Sequence, residues 1–334
     1  MAESVAVVGA GSWGTTLAKI LAENTNQQVL IWARRKELCQ QINEDHESPR
    51  YLEGVELPKN LEATDDLQRV CESALLLLVV VPSHGLREIA FEMGNHLTGE
   101  HALVHGSKGI EQGTFKRMSQ ILREETCVRK IGVLSGPNLA RELCARQPAG
   151  TLVASGYAEV YERCHAALHN DYFRVYGGND VVGAEVGGAF KNIVALAAGV
   201  AGGLELGENS KALLLTRGLN EMARLGTVMG AKMLTFGGMA GLGDLVATCS
   251  SPLSRNHRVG RRLGEGKTIE EILSEMKMVA EGVKTTKAVY NFSRANGLEL
   301  PIVDAVYQLL YEGASVKSAI RGLMAVPARA EFSP

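Results

Sequence analysis

The stretch that most constrains this chain is Gly9-Ala10-Gly11-Ser12-Trp13-Gly14. A short β-branched run, Val5–Val8, precedes it and fits a fully buried strand, and the residues that follow, TTLAKILAE, have helical spacing. A GxGxxG pattern says little alone, but a strand before it and a helix after it make it a dinucleotide fingerprint. Gly9 permits the tight turn, Gly11 lets a pyrophosphate approach the backbone, and Gly14 allows the helix to pack closely on the strand. The free N–H groups of the helix start then face the anion. The plain alternative is a tight strand-to-helix turn that binds nothing.

A second strand, 28–32, ends in Ala33-Arg34-Arg35. About 20 residues beyond the glycine motif an acidic side chain would bind the ribose hydroxyls of NAD, whereas arginines suit a 2′-phosphate. This predicts NADP(H) as the preferred cofactor, with NAD(H) possible; a solvated basic turn is the competing reading. The pattern then keeps alternating. Thr64 is expected to cap a helix over 65–73, which runs into a strand over 74–81. The strand 102–105 ends in Gly106-Ser107-Lys108-Gly109, which places Lys108 at the carboxyl edge of a parallel sheet, where open α/β sheets bind ligands. An exposed loop lysine would look the same. After a strand over 130–134, Ser135-Gly136-Pro137-Asn138 leads into a short helix, with Asn138 as its expected cap. Strands at 149–155 and 173–176 flank a helix over 158–170, on which His165 and His169 sit at i, i+4. With no third ligand nearby they read as surface histidines rather than a metal pair. Residues 1–180 are therefore expected to form a doubly wound, mostly parallel sheet of the α/β class, ending at Gly177-Gly178-Asn179-Asp180.

Beyond Asp180 the strand signals stop. Helical periodicity marks 182–204, 210–226, 268–276, 285–296 and 301–311, so residues 181–334 are expected to form an all-helical second domain. A chain of 334 residues is also long enough for two cores. The helix 182–204 is made of small and apolar residues interrupted by one cation and one amide, Lys191 and Asn192. A lysine near the end of a buried helix ordinarily snorkels to water; the alternative is that it carries chemistry. Asp244 closes a glycine-rich turn, where it is either a helix cap or a group that orients a lysine. Ser254-Arg255-Asn256 combines a hydroxyl, a guanidinium and an amide, a donor set suited to a phosphate dianion, with a charged helix start as the alternative. Glu281 stands in a turn with no local explanation.

The totals exclude several functions. Thirty-five basic against 37 acidic residues leave a net charge of −2, which gives no global reason to expect nucleic acid or anionic membrane as partner, and aromatic residues at 5% disfavour base-stacking platforms. Six scattered cysteines form no CxxC pair and no metal cluster, so reduced thiols are expected. The longest wholly apolar run, 74–81, is far below membrane-spanning length. The expectation is a soluble, cytoplasmic protein without membrane insertion or metal.

Taken jointly, GAGSWGTTLA, HGSKGIE, LSGPNLARE, GAFKN, MAGLGDL and SRNHRVG resemble, in order and spacing, the bacterial NAD(P)-dependent sn-glycerol-3-phosphate dehydrogenases. The resemblance implies a Rossmann-type domain followed by an all-helical one. It implies reversible reduction of dihydroxyacetone phosphate to sn-glycerol 3-phosphate for phospholipid synthesis, by a homodimer. Carried onto this sequence, it implies cofactor contacts at Ser12, Trp13, Arg34, Lys108, Ala140, Arg255, Val279 and Glu281. It implies substrate contacts at Lys108, Gly136, Asn138, Lys191, Asp244, Ser254, Arg255 and Asn256, with Asn138 standing where the family often carries a small hydroxyl residue. Lys191 matches the catalytic acid/base. In the chemistry that follows, Lys191 gives a proton to the oxygen, its pKa lowered by burial and by Lys108. Lys108 and Asn192 donate hydrogen bonds to that oxygen, Asp244 holds Lys191 or a substrate hydroxyl, and Arg255 anchors the phosphate. Lys191 is then expected to face Lys108, Asp244 and Arg255 between the two domains. The rivals are another Rossmann-plus-helical reductase, of the 2-hydroxy-acid or ketopantoate type, and a non-catalytic NADPH sensor.

Overall fold

The computed structural model describes residues 4–276 and 280–327. Eight strands form one sheet: β1 (Val5–Val8), β2 (Val29–Trp32), β3 (Leu61–Thr64), β4 (Leu76–Val79), β5 (Ala102–His105), β6 (Lys130–Ser135), β7 (Ala149–Ser155) and β8 (Phe173–Gly178). Their order is β3-β2-β1-β4-β5-β6-β7-β8, and every pairing is parallel except β6 with β7. Alternate residues of β1 feed two different cores. Val5 and Val7 join the layer that holds the Ser12–Asn24 helix, while Ala6 and Val8 join the layer on the opposite face. Covered on both faces, such a strand reads as a continuous apolar run.

Two local expectations fail for identifiable reasons. Thr64 is not a helix cap: it is the last residue of β3, and Asp66 caps the Leu67–Ser73 helix by accepting from Arg69 N at 3.0 Å. The Asx cap lies closer to the first helical residue and carries the stronger acceptor. Asn138 does not cap the Ala140–Cys144 helix either, because its amide crosses to β7 and donates to Gly150 O at 3.0 Å. His165 and His169 stack at 4.4 Å, with His169 just past its helix, where Nδ1 accepts from Val175 N.

After β8, every described element is helical. Asp180 starts the change: one carboxylate oxygen caps the helix Val181–Gly203 through Gly183 N, and the other accepts from Lys232 N and Thr235 Oγ1. This central helix is long and apolar enough to cross a membrane, yet 83% of its most apolar window is buried in the protein, so it is a core helix. Its glycines explain how neighbours close on it. A Cβ on Gly199 would lie 2.1 Å from His257 O, and one on Gly260 would lie 1.9 Å from Leu196 O, so the central helix and the helix Arg255–Gly264 meet backbone to backbone. Gly187 plays the same part against Ala240 O in the turn Met239–Gly243, where a Cβ would approach to 2.2 Å. The helical core also takes in Ile110, and Phe115 stacks on Phe292 at 4.0 Å. The excursion that follows Lys108 is thereby packed into the helical half.

Candidate active site

The glycine motif has the space the sequence requires. Gly9 adopts φ +115°, and a Cβ there would press on the Val80 carbonyl; a Cβ on Gly14 would sit 1.8 Å from Gly9 O. Gly11, in contrast, has no atom within 4 Å of the position its Cβ would occupy. The Ser12–Asn24 helix begins with no side-chain cap and no acidic residue in its first turn. An open cradle at Gly11 in front of uncapped N–H groups fits a dinucleotide pyrophosphate. Ser12 Oγ donates to Tyr51 O at 2.9 Å, and the Trp13 indole N–H is buried without a partner beside Gly106. Arg34 is exposed past the end of β2, its guanidinium 3.9 Å from where a Cβ on Gly85 would stand.

At the carboxyl edge of the sheet, β5 hands the chain to Gly106-Ser107-Lys108, and Gly188 of the central helix leaves room for the Lys108 stem. Lys191 lies mid-helix and is only 6% exposed, so its ammonium does not snorkel. It donates to Asp244 Oδ1 and, at 2.8 Å, to Thr248 Oγ1. Lys108 Nζ donates to the other oxygen, Asp244 Oδ2, at 2.7 Å. Asp244 is 2% exposed; it opens the helix Asp244–Ser250 and is not the cap, a position held by Gly243. One buried carboxylate therefore bridges two lysine side chains, one from each half of the chain. Burial pushes the Lys191 pKa down to about 7; Asp244 opposes that shift and Lys108 adds to it.

Other expected residues are placed differently. Asn192 Oδ1 accepts from Asn256 Nδ2 at 2.9 Å, and Asn256 Oδ1 accepts from Gly282 N at 3.0 Å. Asn192 and Asn256 thus tie three helices together beside Lys191, and Asn192 does not join the Lys108–Asp244–Lys191 cluster. Ser254 is the cap of its helix through His257 N, and Arg255 is exposed in the first turn. Gly136 is held tight: a Cβ there would come within 3.0 Å of Gly150 O. Ala140 opens its helix. Glu281, unexplained locally, reaches across to the loop after β4, where Oε1 accepts from Ser83 N at 3.1 Å and Oε2 from Ser83 Oγ at 2.8 Å. Val279 lies outside the described residues.

Sequence reasoning missed Thr248 and Ser83. Thr248 had a signal, since it is four residues beyond Asp244 and shares its helical face. Ser83 had none, because its partner is 198 residues away. Beneath the site, Glu185 of the central helix accepts from Ser119 N and Oγ and from Arg117, and lies 3.1 Å from His105 Nε2 at the end of β5. Burial alone would raise its pKa, but His105, Arg117 and the Ser119 amide outweigh that and hold it at about 2.

This geometry defines a class: dinucleotide-dependent oxidoreductases in which a doubly wound sheet carries the cofactor cradle and a helical half presents a buried lysine. Family models described as NAD-dependent glycerol-3-phosphate dehydrogenase N-terminus and C-terminus match residues 4–160 and 180–321. The chain belongs to this family. It is 46% identical to glycerol-3-phosphate dehydrogenase [NAD(P)+] of Bacillus anthracis over 323 residues, covering 96% of this chain and 95% of the relative. Among solved structures it is similar to glycerol-3-phosphate dehydrogenase from Coxiella burnetii, with a TM-score of 0.91 and 35% identity over 97% of this chain and 99% of that one. A ketopantoate reductase from Ralstonia eutropha, at 17% identity and a TM-score of 0.60 over 96% of this chain and 99% of that one, shares the fold alone.

Proposed function

We propose that this chain interconverts dihydroxyacetone phosphate and sn-glycerol 3-phosphate with NADP(H) as preferred cofactor and NAD(H) as an alternative. The observation that carries the reading is the buried Lys191–Asp244–Lys108 cluster, in which a lysine from the sheet half and a lysine from the helical half meet on one carboxylate. The bound dinucleotide supplies the hydride. As negative charge grows on the carbonyl oxygen, Lys108 and Lys191 stabilise it, and Lys191 gives its Nζ proton to that oxygen. Asp244 keeps both lysine nitrogens aimed and opposes the fall in the Lys191 pKa, and Thr248 fixes the remaining freedom of Lys191. Arg255 and Ser254 hold the phosphate end, so that remote binding energy positions the carbonyl, and the loop at Gly136 and Asn138 also contacts the substrate. Asn192 and Asn256 act by fixing the helices around Lys191.

The same reading divides the chain into a cofactor domain over 1–180 and a substrate domain over 181–334, and gives Ser12, Trp13, Arg34, Ala140 and Glu281 to the cofactor. It places the enzyme in the cytoplasm, feeding glycerophospholipid synthesis. The reading includes a homodimer, as the family resemblance implies. The test is NADPH oxidation with dihydroxyacetone phosphate, followed at 340 nm. Wild type should turn over, and Lys191→Ala should lose turnover while NADPH affinity stays nearly unchanged. Turnover by Lys191→Ala at the wild-type rate would defeat the assignment.

A further inference from the structure

We propose that Glu281 and Ser83 form a latch between the halves, and that Ser83 is a positioning residue for hydride transfer, acting through Glu281 on the helix that bears Lys191. Both oxygens of one carboxylate are spent on one residue, the Ser83 N–H and its hydroxyl, an arrangement that fixes orientation as well as distance. The latch requires Gly109, one residue beyond Lys108: a Cβ there would lie 2.6 Å from Ser83 Oγ and 2.9 Å from Glu281 Oε2. On the nucleotide side, Ser83 lies three residues beyond Val80, whose carbonyl would be 3.0 Å from a Cβ placed on Gly9 of the cradle. On the helical side, the next residue after Glu281 is Gly282. Its N–H donates to Asn256 Oδ1, and a Cβ on it would lie 2.6 Å from Asn192 O. Asn256 in turn donates to Asn192, the neighbour of Lys191. The first turn of the helix Glu281–Ala295 therefore links the loop after β4 to Asn192, the neighbour of Lys191, through a short series of direct contacts.

The inference rests on the reading of Lys191 as the proton donor, and a double-mutant cycle tests it. Ser83→Ala and Glu281→Gln should each lower kcat/KM for dihydroxyacetone phosphate and weaken NADPH binding by about tenfold, the scale of one charge-assisted hydrogen bond. The double variant should be no worse than the worse single one. Gly109→Ala should give the same loss with both latch groups present. Melting temperatures near wild type show that each variant is folded, and Ser83→Ala with Gly109→Ala decides the matter if Glu281→Gln does not fold. Losses that multiply to about a hundredfold in the double variant, or a Ser83→Ala enzyme indistinguishable from wild type, would overturn the latch. Lys191→Ala, assayed alongside, separates the two ideas: normal turnover there removes the proton-donor reading, whereas the latch is read from the non-additivity of the cycle in NADPH affinity and from Ser83→Ala and Gly109→Ala, which leave the Glu281 side chain in place.

Discussion

Asp244→Asn isolates what the bridging carboxylate does, because it removes one charge and almost no volume. In the wild type Asp244 faces Lys191 and Lys108 at hydrogen-bond distance from a position 2% exposed. At an effective dielectric constant of about 20, two unit charges about 4 Å apart attract by about 4 kcal/mol, equivalent to roughly 3 pKa units. If relaxation and the Asn dipole recover half of that, the Lys191 pKa still falls by about 1.5 units, from its value of about 7. The ammonium is the form that gives the proton in carbonyl reduction, so reduction declines as pH rises through this pKa. In Asp244→Asn that decline should move to lower pH by about 1.5 to 3 units, and kcat/KM for reduction at pH 7 should drop roughly 15- to 500-fold. Oxidation of sn-glycerol 3-phosphate at pH 9 uses the neutral amine and should lose far less. The assay is the initial rate at 340 nm in both directions between pH 5.5 and 9.5. A decline that stays in place or moves to higher pH would refute the claim that Asp244 holds the charge on Lys191.

Three further outcomes are expected. Gly11→Ala should fold as wild type and bind NADPH about tenfold more weakly, since only the cradle is filled, whereas Gly14→Ala drives a Cβ into the Gly9 carbonyl and should cost about 3 kcal/mol or more of stability; thermal melts and NADPH titrations read both. Arg34→Ala should cut the ratio of kcat/KM with NADPH to that with NADH by about tenfold, the scale of one lost charge-assisted contact, and an unchanged ratio would leave Arg34 as no more than a solvated turn residue.

The glycine fingerprint, most strands of the sheet and the helical second half are legible in the sequence because each rests on short-range pattern. The strand Leu61–Thr64 is not, since LEAT carries little β-branched content and its β character comes from pairing with β2. The reversal at β7 is equally hidden, because strand direction is set by tertiary connection. At the site, Lys191, Lys108 and Asp244 could be named from the motifs they occupy, but their meeting on one carboxylate spans up to 136 residues of chain. The orientation of Asn138 and Asn192 escaped for a related reason: an amide serves a cap, a ligand or a neighbouring helix equally well, and only the surroundings choose.

The backbone-to-backbone crossing of the central helix with the helix Arg255–Gly264 has one more consequence. Side chains yield by changing rotamer, but a peptide carbonyl lodged against a glycine has nothing to rearrange. The span from the Ser254–Asn256 turn to Lys191 is then a fixed gauge, set by the main chain. On the proposed placement of the phosphate at that turn, a phosphorylated ketone with one extra carbon between carbonyl and phosphate should be a poor substrate, and discrimination by chain length would then belong to the scaffold rather than to any group that touches the substrate.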